Sequence, residues 1–303
     1  MDFLKFGAID IGSNAVRLLL CNVYQSTPEP VFKKAELFRF PLRLGADTFL
    51  TGTISESSIL RLCKIMKAFS LLMESYDVLS FRICATAAMR EASNREEVIE
   101  RVRKYSGLTI EVIDGRTEAE LIYANHIEKI LDPDQSYMYV DVGGGSTEVT
   151  LFSDKKTVYS NSFNIGTIRM LHDKIEKVEW INFKETTSML GKSIQGHESM
   201  VIGSGGNINK IFKLAGRKDD QTLSLKRLKE CYDMVSSYSI DERISILKLN
   251  PDRADVIIPA FKIYLTAMKS SGIDRIMVPQ VGLSDGIVHN LYEQHTLAAE
   301  SHN

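Results

Sequence analysis

Two glycine-bearing turns hold the residue types that could handle phosphate. Tyr139-Val140-Asp141-Val142-Gly143-Gly144-Gly145-Ser146-Thr147-Glu148-Val149-Thr150-Leu151 reads as an apolar strand ending on an aspartate, three glycines, two hydroxyls and a carboxylate, and a second strand. Glycines adopt positive φ without steric cost, so successive N–H groups can turn inward and form a concavity for an anion. An aspartate there cannot hold a phosphate, but it can hold Mg²⁺ or its waters against one. Phe6-Gly7-Ala8-Ile9-Asp10-Ile11-Gly12-Ser13-Asn14-Ala15-Val16-Arg17-Leu18-Leu19-Leu20 repeats the grammar. Aligning Asp10 with Asp141 pairs Gly12 with Gly143 and Leu18 with Val149. Two such hairpins, each opening a half of the chain, predict a duplicated domain with two phosphate loops facing across a cleft.

Three further stretches could contribute. Met200 to Ile211 reads as strand, glycine turn and helix start; Ile208 replaces the last glycine of a Rossmann fingerprint, but Gly205 and Gly206 can still face an anion. Arg90, after a strand and small residues, could grip an oxyanion as a bidentate fork or lie solvated. In Asp114-Gly115-Arg116-Thr117-Glu118-Ala119-Glu120-Leu121, Thr117 and Glu120 fit a capping box, which sets Glu118 at the first helical position. A carboxylate there is a candidate base for water, or it merely complements the helix dipole; spacing leaves both open.

These residues need a scaffold of alternating strands and helices. Strands are predicted at 31–40, 78–85, 109–113, 157–165 and 275–279, with a loop over 41–45. The helix opening near Ser55 places Ile59, Leu62, Cys63, Met66, Phe69 and Met73 on one stripe. Asn94 is expected to cap a helix ending at Gly107. Other helices are expected from Thr117 to about Ile130 (broken by Pro133), from Gly166, over 184–194, 225–236, 241–247 and 283–295, and from Pro251 to Ser270 with a kink at Pro259. No linker is apparent, so the boundary between domains is placed in the helix between Glu120 and Pro133.

Composition bounds the rest. The 303 residues suffice for two domains, and 44% hydrophobic with 25% charged residues are globular values. A net charge of −2 argues against a nucleic-acid-coating protein. Cys21, Cys63, Cys84 and Cys231 are scattered without metal spacing and read as buried free thiols in a reducing cytoplasm. Histidines 126, 172, 197, 289, 295 and 302 form no i, i+4 pair. The start of the chain leaves no room for a signal peptide, and no apolar run reaches spanning length, so a cytoplasmic protein without a membrane partner is expected.

The ordered motifs resemble the exopolyphosphatase / guanosine-pentaphosphate phosphohydrolase (Ppx/GppA) family of the actin-like ATPase superfamily. The matching pieces are Ala8 to Asn14 with Arg17-Leu18-Leu19, Ala85 to Arg90, Gly115-x-x-Glu118-Ala119-x-Leu121-Ile122, Val140 to Glu148, Ile202 to Gly206 and Gly282 to Gly286. The resemblance implies an α/β fold of two duplicated actin-like (ribonuclease H-like) domains with mixed sheets flanked by helices and an interdomain cleft. It places the N-terminal domain at 1–124, the C-terminal domain at 125–282, and packs 283–303 back on the first. It implies Glu118 as catalytic base, Asp141 and Glu148 as acidic residues that hold Mg²⁺ (or Mn²⁺) and support catalysis, Asp10, facing Asp141, as a further metal residue, and phosphate contacts from Gly12, Ser13, Asn14, Arg90, Gly143, Gly144, Gly145, Ser146, Thr147, Gly205 and Gly206. A homodimer is a further suggestion of the resemblance. Ala15 departs from a serine common in the family, and the C-terminal helical domain of long members is not expected.

The expected activity is Mg²⁺-dependent release of terminal phosphate from inorganic polyphosphate, with the 5′-phosphate of guanosine pentaphosphate as the close alternative. Arg43, Arg169, Lys210 and Arg217 are candidates for a basic track along a polyphosphate chain. An ATP-dependent kinase, or a non-catalytic phosphate-sensing scaffold, is the more distant alternative.

Overall fold

The computed structural model describes residues 3–25, 29–123, 132, 134–153, 156–195, 198–216 and 221–300. The chain divides into two compact units, 1–125 with 282–303, and 126–281. The boundary expected between Glu120 and Pro133 falls largely outside the described residues, as do His126, His197, Arg217 and His302.

Unit 1 begins with β1 (Phe3–Ile11), β2 (Ala15–Tyr24) and β3 (Val31–Pro41). Helices α1 (Leu44–Thr51) and α2 (Glu56–Ser75) precede β4 (Ser80–Ala85), and α3 (Ala87–Glu91) and α4 (Arg95–Ser106) follow it. The short β5 (Glu111–Val112) then leads into α5 (Gly115–Tyr123). The sheet runs β3-β2-β1-β4-β5, antiparallel through β1 and parallel beyond it. Helix α1 begins at Leu44, within the loop expected over 41–45, and runs on through residues for which no element was expected. The apolar stripe of α2 is buried as its periodicity predicts, and Ser55 caps it by accepting from the Ser58 amide. Asn94 precedes α4 but does not cap it; its amide bridges the N–H and C=O of Ile54 at 2.9 Å each.

Unit 2 repeats the plan. It comprises β6 (Ser136–Val142), β7 (Thr147–Ser153), β8 (Lys156–Phe163), α6 (Thr167–Leu171), α7 (Lys177–Ser193), β9 (Ser199–Ser204) and α8 (Gly206–Leu214). The elements β10 (Thr222–Ser224), α9 (Leu225–Ser236), α10 (Ile240–Ser245), α11 (Pro251–Ala254), α12 (Ile257–Ser271) and β11 (Arg275–Met277) follow. The sheet order is β10-β11-β9-β6-β7-β8. The single kinked helix expected from Pro251 is two helices. Their break falls at Asp255–Val256, and Pro259 sits in the first turn of α12, where an intrahelical donor is not needed. The last helix, α13 (Leu283–Glu300), belongs to unit 1 and packs on β1, β2, β4 and α5.

The duplication extends to an irregularity. The β2–β3 register slips between Leu20 and Cys21, and the β7–β8 register slips between Leu151 and Phe152. These are equivalent positions in the alignment that pairs Asp10 with Asp141. A bulge at the same place in both edge strands twists each edge away from further pairing. All four cysteines are free and buried. Among the described residues no helix is long and apolar enough to cross a membrane.

Candidate active site

In unit 1, β1 delivers Asp10, and the β1–β2 register sets Arg17 directly opposite. The Arg17 Nη1 donates to Asp10 Oδ2 at 2.6 Å, and the aspartate is buried while the arginine is about a third exposed. Between the strands, the Gly12 amide donates to the Ala15 carbonyl at 3.1 Å. The Ser13 carbonyl accepts from the Gly45 amide at 2.9 Å, and the Asn14 carbonyl from the Leu42 and Arg43 amides. The start of α1 thus holds the outward carbonyls of the first loop. Arg90, on α3, donates Nη1 to the Ile113 carbonyl at 2.9 Å.

The cap of α5 differs from the capping box expected. The Asp114 carboxylate accepts from the Thr117 amide at 2.7 Å, and the helix starts at Gly115, two residues ahead of Thr117. Asp is as good a cap as any residue and Gly115 follows it without steric cost, so Thr117 falls inside the first turn. Glu120 instead pairs with Arg116 at the surface. Glu118 becomes the fourth helical residue and turns inward, 8% exposed. Burial pushes the neighbouring Cys84 thiol up to about 12; Arg82 opposes the rise, and Glu111, Asp10 and Glu118 add to it. Asp10 stands directly beside Cys84 in the parallel β1–β4 register.

In unit 2 the equivalent of Arg17 is Glu148, which stands directly opposite Asp141. Two carboxylates therefore face each other where unit 1 has an ion pair. Glu148 is 2% exposed and accepts from the Ser162 hydroxyl at 2.9 Å, and Ser204 flanks Asp141 from β9. Gly205 has φ 106°, and a Cβ there would stand 3.0 Å from Asp141 Oδ1. Burial, then the Asp141 charge, hold the Tyr139 and Tyr264 phenols well above their ordinary pKa, so both stay protonated under the loop. Glu148 is buried and Asp141 half-buried, and carboxylates this close repel unless a cation offsets their charge. Among the described residues no group of three or more His, Cys, Asp or Glu gathers into an all-protein metal cage. The Asp141–Glu148 pair fits Mg²⁺, a hard cation that takes one or two carboxylates and keeps waters and phosphate oxygens for its remaining positions.

The glycine loop of unit 2 is tied down on one side. Gly143 donates to the Ser146 carbonyl at 2.9 Å; its own carbonyl accepts from the Thr167 amide at 3.0 Å, and the Gly144 carbonyl accepts from the Ile168 amide at 2.8 Å. The Arg169 Nε donates to the Gly145 carbonyl at 2.6 Å. Arg169 is 9% exposed, so it belongs to the loop's support and not to a solvent-facing basic track. Lys210 donates to the Lys248 carbonyl, and Arg43 takes a left-handed φ ahead of α1. Sequence reasoning gave no role to Arg253, whose guanidinium lies against Gly206 and donates to its carbonyl. No local signal marks that contact, which spans 47 positions. The Asp10–Arg17 pair was not foreseen either, since it rests on the β1–β2 register that the strand pairing sets.

Known proteins share sequence and fold with this chain. The model of the Ppx/GppA phosphatase family matches residues 31–295. A bifunctional 3-dehydroquinate synthase/phosphatase of Fusobacterium nucleatum is 26% identical over 92% of the chain, which spans 45% of that protein's length. Exopolyphosphatase 1 of Mycobacterium bovis is 22% identical over 94% of the chain and 87% of its own. The crystal structure of the Aquifex aeolicus Ppx/GppA family member superposes with a TM-score of 0.75 at 25% identity, covering 97% of this chain and 99% of that one. Two mixed sheets flanked by helices, doubled hairpin loops and a family match over most of the chain lead to one conclusion: this chain belongs to the Ppx/GppA phosphatase family.

Proposed function

We propose that this chain is a Mg²⁺-dependent exopolyphosphatase that releases terminal orthophosphate from inorganic polyphosphate. The observation that carries the reading is the opposed Asp141–Glu148 pair beside a glycine loop whose carbonyls are held by the Thr167–Arg169 segment. The mycobacterial relative's name as an exopolyphosphatase supports the substrate class. Phosphoryl transfer asks a protein mainly for positioning and for neutralisation of spread negative charge. Asp141 and Glu148 would hold Mg²⁺ (or Mn²⁺), which when bound offsets charge on the phosphoryl oxygens. The amides of Gly144, Gly145 and Ser146 grip the phosphate in the Gly143–Thr147 loop, with Gly205 and Gly206 shaping the same end of the unit 2 sheet. In unit 1, Gly12, Ser13, Asn14 and Arg90 serve the anion, and Asp10, steadied by Arg17, orders water. Glu118 takes the proton of the attacking water at one carboxylate oxygen.

Phosphate release from polyphosphate and from guanosine pentaphosphate, measured side by side, tests the reading. Glu118→Gln should lower release about 10²–10⁴-fold while preserving the folded state and phosphate binding. Ordinary turnover in that variant overturns the base assignment. Release from guanosine pentaphosphate alone would transfer the same machinery to the nucleotide.

A further inference from the structure

Three consecutive glycines have no side chains to fix their peptide planes, and each plane in such a loop can turn at little steric cost. An anion site built from their amides therefore needs something else to decide which way the planes face. In unit 2 that decision comes from one short segment, Gly166-Thr167-Ile168-Arg169. The carbonyls of Gly143 and Gly144 are held by backbone donors, the Thr167 and Ile168 amides, which most residue types would supply. The Gly145 carbonyl is held by a side chain, the buried Arg169 Nε at 2.6 Å. In a trans peptide the C=O of one residue and the N–H of the next point in opposite directions, and the described chain has no cis bond. Carbonyls turned toward α6 thus send the amides of Gly144, Gly145 and Ser146 to the opposite side, where an anion can meet all three.

Gly166 makes this approach possible. A Cβ there would stand 2.2 Å from the Gly144 carbonyl oxygen, closer than any real contact. The segment and the loop are therefore built against each other.

We propose that Arg169 is a positioning residue for phosphate binding, fixing the Gly145–Ser146 peptide so that its N–H and not its C=O faces the anion. The inference rests on the proposed reading of this loop as a phosphate site. With Arg169 gone, the plane that loses its donor is the one bounded by a glycine. A turned plane removes a donor from the anion and presents an acceptor to it, so each turned molecule is unable to bind. If the correct orientation falls to about a tenth of molecules, the apparent Kd rises about tenfold.

The test is an amide-resolved titration of the whole chain, ¹⁵N-labelled, with tripolyphosphate and with inorganic phosphate, comparing wild type with Arg169→Met. The expected result is a shift of the Gly144, Gly145 and Ser146 amides in wild type, with at least about tenfold weaker binding in the variant while its folded spectrum is otherwise preserved. Equal Kd values in the two proteins overturn the role of Arg169. Loop amides that do not respond in wild type overturn the phosphate reading itself, a distinct failure. Should Arg169→Met fail to fold, Arg169→Lys keeps the buried charge without a donor at the Nε position and carries the same comparison. Binding by that variant equal to wild type likewise refutes the proposal.

Discussion

Gly205→Ala probes the contact between backbone and carboxylate in unit 2. At φ 106° and ψ 163° the residue occupies a region open essentially to glycine alone, so an alanine there costs about 1–3 kcal/mol in backbone strain. The added Cβ would also stand 3.0 Å from Asp141 Oδ1 and 3.1 Å from the Val142 carbonyl oxygen. Restoring ordinary contact moves the carboxylate by about 0.4 Å; since a displacement of about 1 Å can cost about 10²-fold in rate, phosphate release should fall about fivefold. Gly272→Ala supplies the control: its φ is 76° and nothing lies within 4 Å of the new atom, so it bears about 1 kcal/mol of left-handed strain and no displacement of the site. Each kcal/mol lowers the midpoint of thermal unfolding by about 2–4 °C for a unit of this size. Thermal unfolding and steady-state phosphate release, run on both variants, separate the two effects. If Gly205→Ala matches Gly272→Ala in midpoint and wild type in rate, the packing of Asp141 against Gly205 has no bearing on the site, and the reasoning fails.

Three other outcomes follow from unit 1. Arg17→Gln leaves the buried Asp10 without its cation and should destabilise the protein by about 2 kcal/mol, less than a fully buried pair because Arg17 is a third exposed; adding Asp10→Asn should recover most of that in urea denaturation, and strictly additive losses would refute the coupling. Burial works to raise the Asp47 pKa, but bonds from the Ser55 hydroxyl, the Ser58 hydroxyl and the Ser55 amide outweigh it and hold the group below its ordinary value. That depressed folded pKa means the contribution is complete above about pH 4 and is lost as the pH falls through the folded value; Asp47→Asn should lose about 1 kcal/mol or less at pH 7 after solvent screening and show a flatter acid limb of stability. Asp114→Ala removes the acceptor of the Thr117 amide and should loosen the first turn of α5, seen as faster hydrogen exchange there and about tenfold slower phosphate release; unchanged exchange would show that the cap does not order the turn bearing Glu118.

Much of the fold was legible because its signals are local. The stripe on α2, the glycine after α4 and the strand–glycine–strand grammar each depend on residues a few positions apart, where propensity and sterics act directly. The errors have physical causes as well. Helices α1 and α3 are short and draw on contacts with the first loop and with β4 that no periodicity announces. At α5 two overlapping caps were available within four residues, and Asp114 won over Thr117, moving Glu118 from the helix end to a buried face. Arg169 looked like one more surface cation, since nothing adjacent to it in the chain reveals that Gly145 lies within reach of its Nε.

By itself the sequence determined that there are two loops of one kind, each with an aspartate before its glycines, and that a carboxylate at 118 lies in the first turns of a helix between them in the chain. Those features follow from backbone permissiveness and strand alternation, which are properties of short segments. Only the tertiary structure decided that Asp10 faces an arginine while Asp141 faces a glutamate across the sheet, and that a distant arginine and helix start choose the side on which the glycine amides emerge. Register and peptide-plane orientation are settled by partners far away in the chain, and such partners meet only once the sheets and helices have packed.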